Sequence, residues 1–230
     1  MIKLIKSLPD THDAESAELL RIKCLFEIYP DIALFWRQEQ SDTLISMIDG
    51  DMTVYGKNAD IPELSEFISF INPRSVFSDG KTLSLLGLKA TSPVRVFKRF
   101  GDIPLGTSPD DLKSDEIYEL LSTKGLCLPE FGAFAVDFCR RKNAGQLKVY
   151  AKRGVFAALS LSFGDSALIQ GIASRKKGGG SEALCGAVSQ NEGKTVLACA
   201  REDLSDFYIK NGFEYVYNAG YCVRNENGIF

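Results

Sequence analysis

Apolar residues recur at helical spacing between residues 14 and 29, through Leu19, Leu20, Ile22, Leu25 and Phe26, and Pro30 closes the run. The pattern then shortens. "DIALFWRQE" (31–39), "DTLISMID" (42–49) and "DMTVYG" (51–56) read as strands, and the "DGD" between the last two marks a hairpin turn. "IPELSEFISFI" (61–71) carries proline near its start and reads as a helix. "SVFSDG" and "TLSLLGL" follow as expected strands.

Pro93 and the small polar residues before it mark a boundary, after which a longer series begins. "VRVFKRF" (94–100) predicts a strand. A helix is expected over 108–125, opened by Ser108, Pro109 and two aspartates and closed by Lys124 and Gly125. A second helix is expected over 131–142. "QLKVYAKRG", "VFAALSLSFGD" and "SALIQGIAS" predict a three-strand meander. Next come a glycine run, a helix over 181–190, the strand "KTVLACA" (194–200), a helix over 203–212 and a terminal strand pair over 213–224. The two series trace similar orders of elements. They predict an α/β (α+β) protein of two related units in tandem, 1–92 and 93–230.

Composition narrows the function. The 230 residues are 45% hydrophobic and 25% charged, ordinary values for a soluble globular chain. A net charge of -3 argues against nucleic acid as the main partner. No stretch is apolar for long enough to cross a bilayer, and Pro9 breaks the first segment too early for a secretory signal. The six cysteines form no CxxC pair, so a reduced, cytoplasmic protein is expected. The only histidine, His12, stands among acids near the N-terminus. A histidine-based metal site or triad is therefore not expected, and no metal is.

The unusual segment is "IASRKKGGGSEALCGAV" (172–188), in which a strand meets three basic residues, three glycines and then a helix. Glycines permit tight bends and close approach of a ligand to the main chain. The first-turn N–H groups of a helix, with its dipole, favour an anion, and Arg175, Lys176 and Lys177 add positive charge. A P-loop would need a lysine after the glycines, and none follows. A dinucleotide fingerprint would need glycine at position 183, which is alanine, and an acid after the next strand, where Arg201 stands.

"RKKGGG" matches R/Q-x-x-G-x-G/A, and "FYIKNGFEYV" (207–216) matches a second signature, F-Y-x-x-x-G-F, through Phe207, Tyr208, Gly212 and Phe213. In this order and spacing, residues 94–230 resemble the GCN5-related N-acetyltransferase (GNAT) superfamily. The resemblance implies an acyl-CoA N-acyltransferase-like fold: a mixed, mostly antiparallel sheet flanked by helices. It also implies that acetyl-CoA is the co-substrate. Ile172, Ala173 and Ser174 would run along the pantetheine, Lys177, Gly178, Gly179, Gly180 and Ser181 would hold the diphosphate, and either Arg175 or Lys177 takes the place of the family arginine. Two departures stand out. The segment before Arg175 is short, and Arg201 occupies a position where the family often has asparagine.

The chemistry so implied is direct transfer of an acetyl group from acetyl-CoA to an amine acceptor, a small molecule or a peptide. A main-chain N–H near the end of "QGIAS" would face the thioester carbonyl, and Tyr208 would protonate the departing thiolate. A cluster cap with a bonded hydroxyl is the alternative for Tyr208. No base is assigned: "SALIQGIAS" has no glutamate, and Asp165, Glu130 and Asp137 read as solvated surface acids. The acceptor is expected between the 125–132 loop, a 217–220 hairpin tip and the first unit. That first unit lacks both signatures and reads as a degenerate acetyltransferase-like unit or another small α/β unit. Two rivals remain: a non-catalytic CoA-binding sensor or scaffold of the same fold, and an aminoacyl-tRNA-dependent transferase. Oligomeric state is not legible in the sequence.

Overall fold

The computed structural model describes residues 1–11, 13, 15–101, 108–123, 126 and 128–224. The chain forms two compact units: Met1–Phe97 with Cys199–Ser205 and Tyr215–Phe230, and Lys98–Ala198 with Asp206–Glu214.

The first unit starts with β1 (Ile2–Leu4) and α1 (Ala17–Ile28), which the Ser16 hydroxyl caps by accepting from Leu19 N. An antiparallel meander follows: β2 (Leu34–Gln38), β3 (Leu44–Ile48) and β4 (Asp51–Tyr55). The β3–β4 turn has Asp49 and Gly50 both at positive φ, 51° and 81°, as a two-residue hairpin loop requires. α2 (Ile61–Ile71) then crosses over to β5 (Ser75–Asp79), which runs parallel to β4. α3 (Gly80–Leu85), β6 (Ser92–Phe100) and, from much later in the sequence, β11 (Glu214–Val223) also contribute to this unit. β11 lies antiparallel to β5, from Ala219↔Asp79 to Val223↔Ser75.

Period-two alternation feeds both sheet faces. Trp36, Ile45 and Val54 pack with Leu64 and Ile68 of α2 and Leu83 of α3. Their neighbours Phe35, Leu44 and Tyr55 pack with Leu19 and Ile22 of α1. A sheet covered on both faces explains why these short strands read as continuous apolar runs.

The second unit holds α4 (Ser114–Ser122), α5 (Phe131–Asn143) and the antiparallel meander β7 (Leu147–Lys152), β8 (Phe156–Phe163) and β9 (Ser166–Ser174). α6 (Gly179–Ser189) leads to β10 (Thr195–Ala200), which runs parallel to β9; the chain then passes through the first unit at Cys199–Ser205, which holds a 3₁₀ turn (Glu202–Leu204), and α7 (Ser205–Lys210) brings it back to the second. β8 is buried from Phe156 through Ser162. α6 lies against β7 through Gly186, where a Cβ would fall inside 3.0 Å of the Tyr150 ring. The Tyr150 ring in turn stacks on Phe156, with centroids 5.9 Å apart.

Four sequence expectations are corrected. "TLSLLGL" is not a strand but most of α3, because the Asp79 carboxylate accepts from Lys81 N and Thr82 N and starts a helix there. The helix expected over 108–125 begins only at Ser114. Asp110 instead binds β7 and the turn after it, donating from N to Ala151 O and accepting from Arg153 N at 2.9 Å. That helix's expected end, Lys124 and Gly125, lies outside the described residues, as do His12 and Cys127. The glycine-run helix starts at Gly179 rather than 181. The terminal strand pair is one strand: Ala219 and Gly220, expected at a hairpin tip, pair in register with Asp79 and Ser78.

Candidate functional site

β9 reaches the glycine run with an irregularity. Leu159 pairs with Gly171 but Ser160 pairs with Ile169, so Gln170 is an extra residue, a β-bulge. Gln170 is exposed between the buried Ile169 and the half-buried Gly171 and Ile172. The β9–β10 ladder runs from Ser166↔Thr195 to Ile169↔Ala198, while β9 goes on from Gln170 to Ser174. Ile172 and Ser174 are half-buried along that extension, and Ala173 is buried.

Ser174 organises the turn. Its hydroxyl donates to Lys176 O at 2.8 Å and accepts from Lys176 N at 3.1 Å, while Arg175 N donates to Val155 O at 2.8 Å. Gly178 follows with φ 81° and ψ -18°, a left-handed conformation that glycine adopts without steric cost. Gly179 is buried beneath it, and a Cβ there would meet the Ser174 hydroxyl inside 3.0 Å. A Cβ on Gly178 would meet nothing within 4 Å, so the turn is open on that side. Gly179 N donates to Lys176 O, and Ser181 N and Glu182 N donate to Gly178 O. Among the described residues, the N–H groups of Lys177, Gly178 and Gly180 find no acceptor.

The charge around the turn is divided. Arg175 pairs with Glu119 of α4 at 2.7 Å. Lys176 and Lys177 are exposed and pair with no acid among the described residues. Other basic groups of this unit are engaged: Arg141 with Asp137, Lys142 with Asp111, and Arg153 with Glu116. Burial, and to a lesser degree Lys194, hold the Lys148 ammonium below its ordinary range. These pairings leave the two lysines of the turn as its uncompensated charge.

α7 meets the start of α6 through Phe207, whose ring lies 3.6 Å from where a Gly180 Cβ would stand. Cys185 of α6 contacts Asn211 Oδ1 at 3.9 Å. Tyr208 is buried, 7% exposed, and stands edge-on to Phe207 and to Phe213, with centroids 5.2 and 5.5 Å away. The structure thus gathers Ser174–Ser181 into one turn and seats Tyr208 beside the ring that touches it. The sequence reading missed the Gln170 bulge, the Ser174 bracket and the Glu119 partner of Arg175. Only the bulge had a local signal, the Gln-Gly step within a strand. Among the described residues, no cluster of side chains could hold a metal ion, and no helix is long and apolar enough to cross a membrane.

No family model and no curated protein sequence matches the chain. Solved structures do. A GCN5-related N-acetyltransferase from Kribbella flavida superposes with a TM-score of 0.60 at 12% identity, covering 90% of this chain and 94% of that one. One from Sphaerobacter thermophilus gives 0.55 at 12%, covering 94% and 96%. An acetyltransferase of the GNAT family from Colwellia psychrerythraea gives 0.52 at 12%, covering 97% and 99%. The fold is therefore that of the GCN5-related N-acetyltransferases. The mixed, mostly antiparallel arrangement of strands with flanking helices follows that pattern.

Proposed function

We propose that the chain is an N-acetyltransferase that carries an acetyl group from acetyl-CoA to an amine, with the coenzyme held by the second unit. The observation that carries this reading is the β9–α6 turn. Three main-chain N–H groups without acceptors, an open face at Gly178 and two uncompensated lysines suit a diphosphate. Lys177 and Gly178–Ser181 would hold it, and Ile172, Ala173 and Ser174 would border the pantetheine. Arg175 is assigned a supporting place, since Glu119 already binds it.

Acetyl-CoA supplies an activated thioester. The chain's part is to fix dipoles and protons around it. The bulge at Gln170 leaves one main-chain N–H outside the β8 ladder, and a fixed donor of that kind stabilises charge on a carbonyl oxygen. Tyr208 is assigned as the proton donor to the thiolate. β9 carries no carboxylate, and no base is assigned for the acceptor amine. The first unit repeats the order helix, three antiparallel strands, helix, parallel strand, helix. This supports reading it as a degenerate acetyltransferase-like unit. The five described cysteines are free, in keeping with a reducing cytoplasm.

One observation favours a second reading, a CoA-binding sensor: Tyr208 is nearly enclosed by its aromatic neighbours. Calorimetric titration with coenzyme A tests the shared part. Binding is expected, and Lys177→Glu should weaken it by about tenfold, or about 1.4 kcal/mol. An absence of binding to the unaltered chain refutes both readings. Release of free thiol from acetyl-CoA with an amine panel then separates enzyme from sensor.

A further inference from the structure

Gly171 follows the extra residue of β9, and no packing among the described residues requires glycine there. Its φ lies outside the left-handed region that favours glycine. A Cβ would meet only Leu121 Cδ2 at 3.5 Å and Leu126 Cδ1 at 3.6 Å, both ordinary contacts. Gly179 and Gly186 differ in kind, since a Cβ on either would fall inside 3.0 Å of a neighbour. The bulge does not demand glycine either: its extra residue is Gln170, and Gly171 pairs in register with Leu159. Glycine inside a strand weakens it relative to alanine. Where neither packing nor backbone calls for it, glycine marks a place where another molecule comes close to the main chain.

The space so kept has a definite size and chemistry. Two leucine methyls close it around a single carbon, and among the described residues beyond the chain neighbours no polar atom stands within 4 Å of that carbon. Leu121, on α4, belongs to the core at 2% exposed, whereas Leu126 is 38% exposed. The notch therefore has one fixed wall and one that can yield. Gly171 itself is half-buried and Gln170 is exposed, so a ligand can reach the strand here. Beside the notch, the bulge leaves a main-chain N–H outside the β8 ladder. A donor and a one-carbon apolar notch on successive residues match an acetyl group, which carries one acceptor oxygen and one methyl on the same carbon.

We infer that Gly171, Leu121 and Leu126 set the length of the acyl group, admitting the acetyl methyl and excluding longer chains. The inference rests on the coenzyme reading proposed above. The test is calorimetric titration of the full chain with coenzyme A, acetyl-CoA and butyryl-CoA, together with thermal melting of two variants. The unaltered chain should bind acetyl-CoA about tenfold more tightly than butyryl-CoA, or better. Leu126→Ala should bring butyryl-CoA to within about threefold of acetyl-CoA by opening the yielding wall. Gly171→Ala should fill the notch. It should weaken acetyl-CoA by about tenfold, leave coenzyme A itself within about threefold, and melt no lower than the unaltered chain. A Gly171→Ala chain that melts lower, fails to fold or keeps its affinity for acetyl-CoA overturns the inference. So does discrimination against butyryl-CoA that survives Leu126→Ala. Coenzyme A binding with no preference between the two thioesters removes this inference and leaves the proposed function standing. No binding of coenzyme A removes both.

Discussion

Replacing Gly179 with alanine should be harmful in the native chain and harmless once Ser174 has lost its hydroxyl. The new methyl would lie inside 3.0 Å of Ser174 Oγ, and only the side chain of Ser174 can yield. Turning it away breaks the hydroxyl's bonds with Lys176 N and Lys176 O, at about 0.5–1.5 kcal/mol each. Against this, alanine for glycine within a helix returns about 0.5–1 kcal/mol. Gly179→Ala should therefore cost on the order of 1–2 kcal/mol. Ser174→Ala forfeits the same two bonds and should cost a similar amount alone. With the hydroxyl gone, the nearest remaining atoms, Phe156 Cδ1 and the Cβ of residue 174, stand at 3.4 Å, a tolerable contact. The double variant should then be no less stable than Ser174→Ala, so the sign of Gly179→Ala reverses between backgrounds. Urea denaturation of the four chains measures this. Costs that add to within about 0.5 kcal/mol would refute the bracket described for Ser174.

Further outcomes follow from other residues. Burial, above all, holds the Glu18 carboxyl above its ordinary value of 4.5. As pH rises past that value, the folded chain retains a proton that the unfolded chain has released, so this residue makes stability fall. Urea midpoints at about pH 5 and pH 8 should show the decline, and Glu18→Gln should flatten it and add on the order of 1 kcal/mol at the higher pH. Tyr208→Phe should lower acetyl-CoA turnover by about tenfold or more while coenzyme affinity holds, as steady-state rates and calorimetry would show. Gly186→Val should overpack the α6 contact with Tyr150 and cost about 3 kcal/mol, seen as a fall in melting temperature.

The sequence was most legible where one local rule governed. The limits of α2 follow from Asp60, Pro62 and the apolar spacing, and the β3–β4 turn follows from Asp-Gly. The glycine run announced a turn before a helix, although Gly179 and Gly180 already belong to that helix because Gly178 alone supplies the left-handed step. Distant partners decided what was missed. "TLSLLGL" alternates well enough for a strand, yet the Asp79 side chain commits it to a helix. Residues 217–220 carry turn composition, but pairing with β5 keeps them extended. The extra residue in β9 shows only against β8, and Glu119 finds Arg175 across 56 positions. The contact of Glu18 with Tyr217 emerges only when α1 is brought beside β11.

β11 also constrains how the polypeptide matures. Ser75–Asp79 receives its antiparallel partner from Ala219–Val223, so a ribosome must translate past residue 223 before the first unit has all its strands. Until then β5 offers a bare hydrogen-bonding edge to any neighbouring nascent chain. A fragment ending at residue 92 would keep that hazard permanently, and supplying the C-terminal strand as a separate peptide should relieve it.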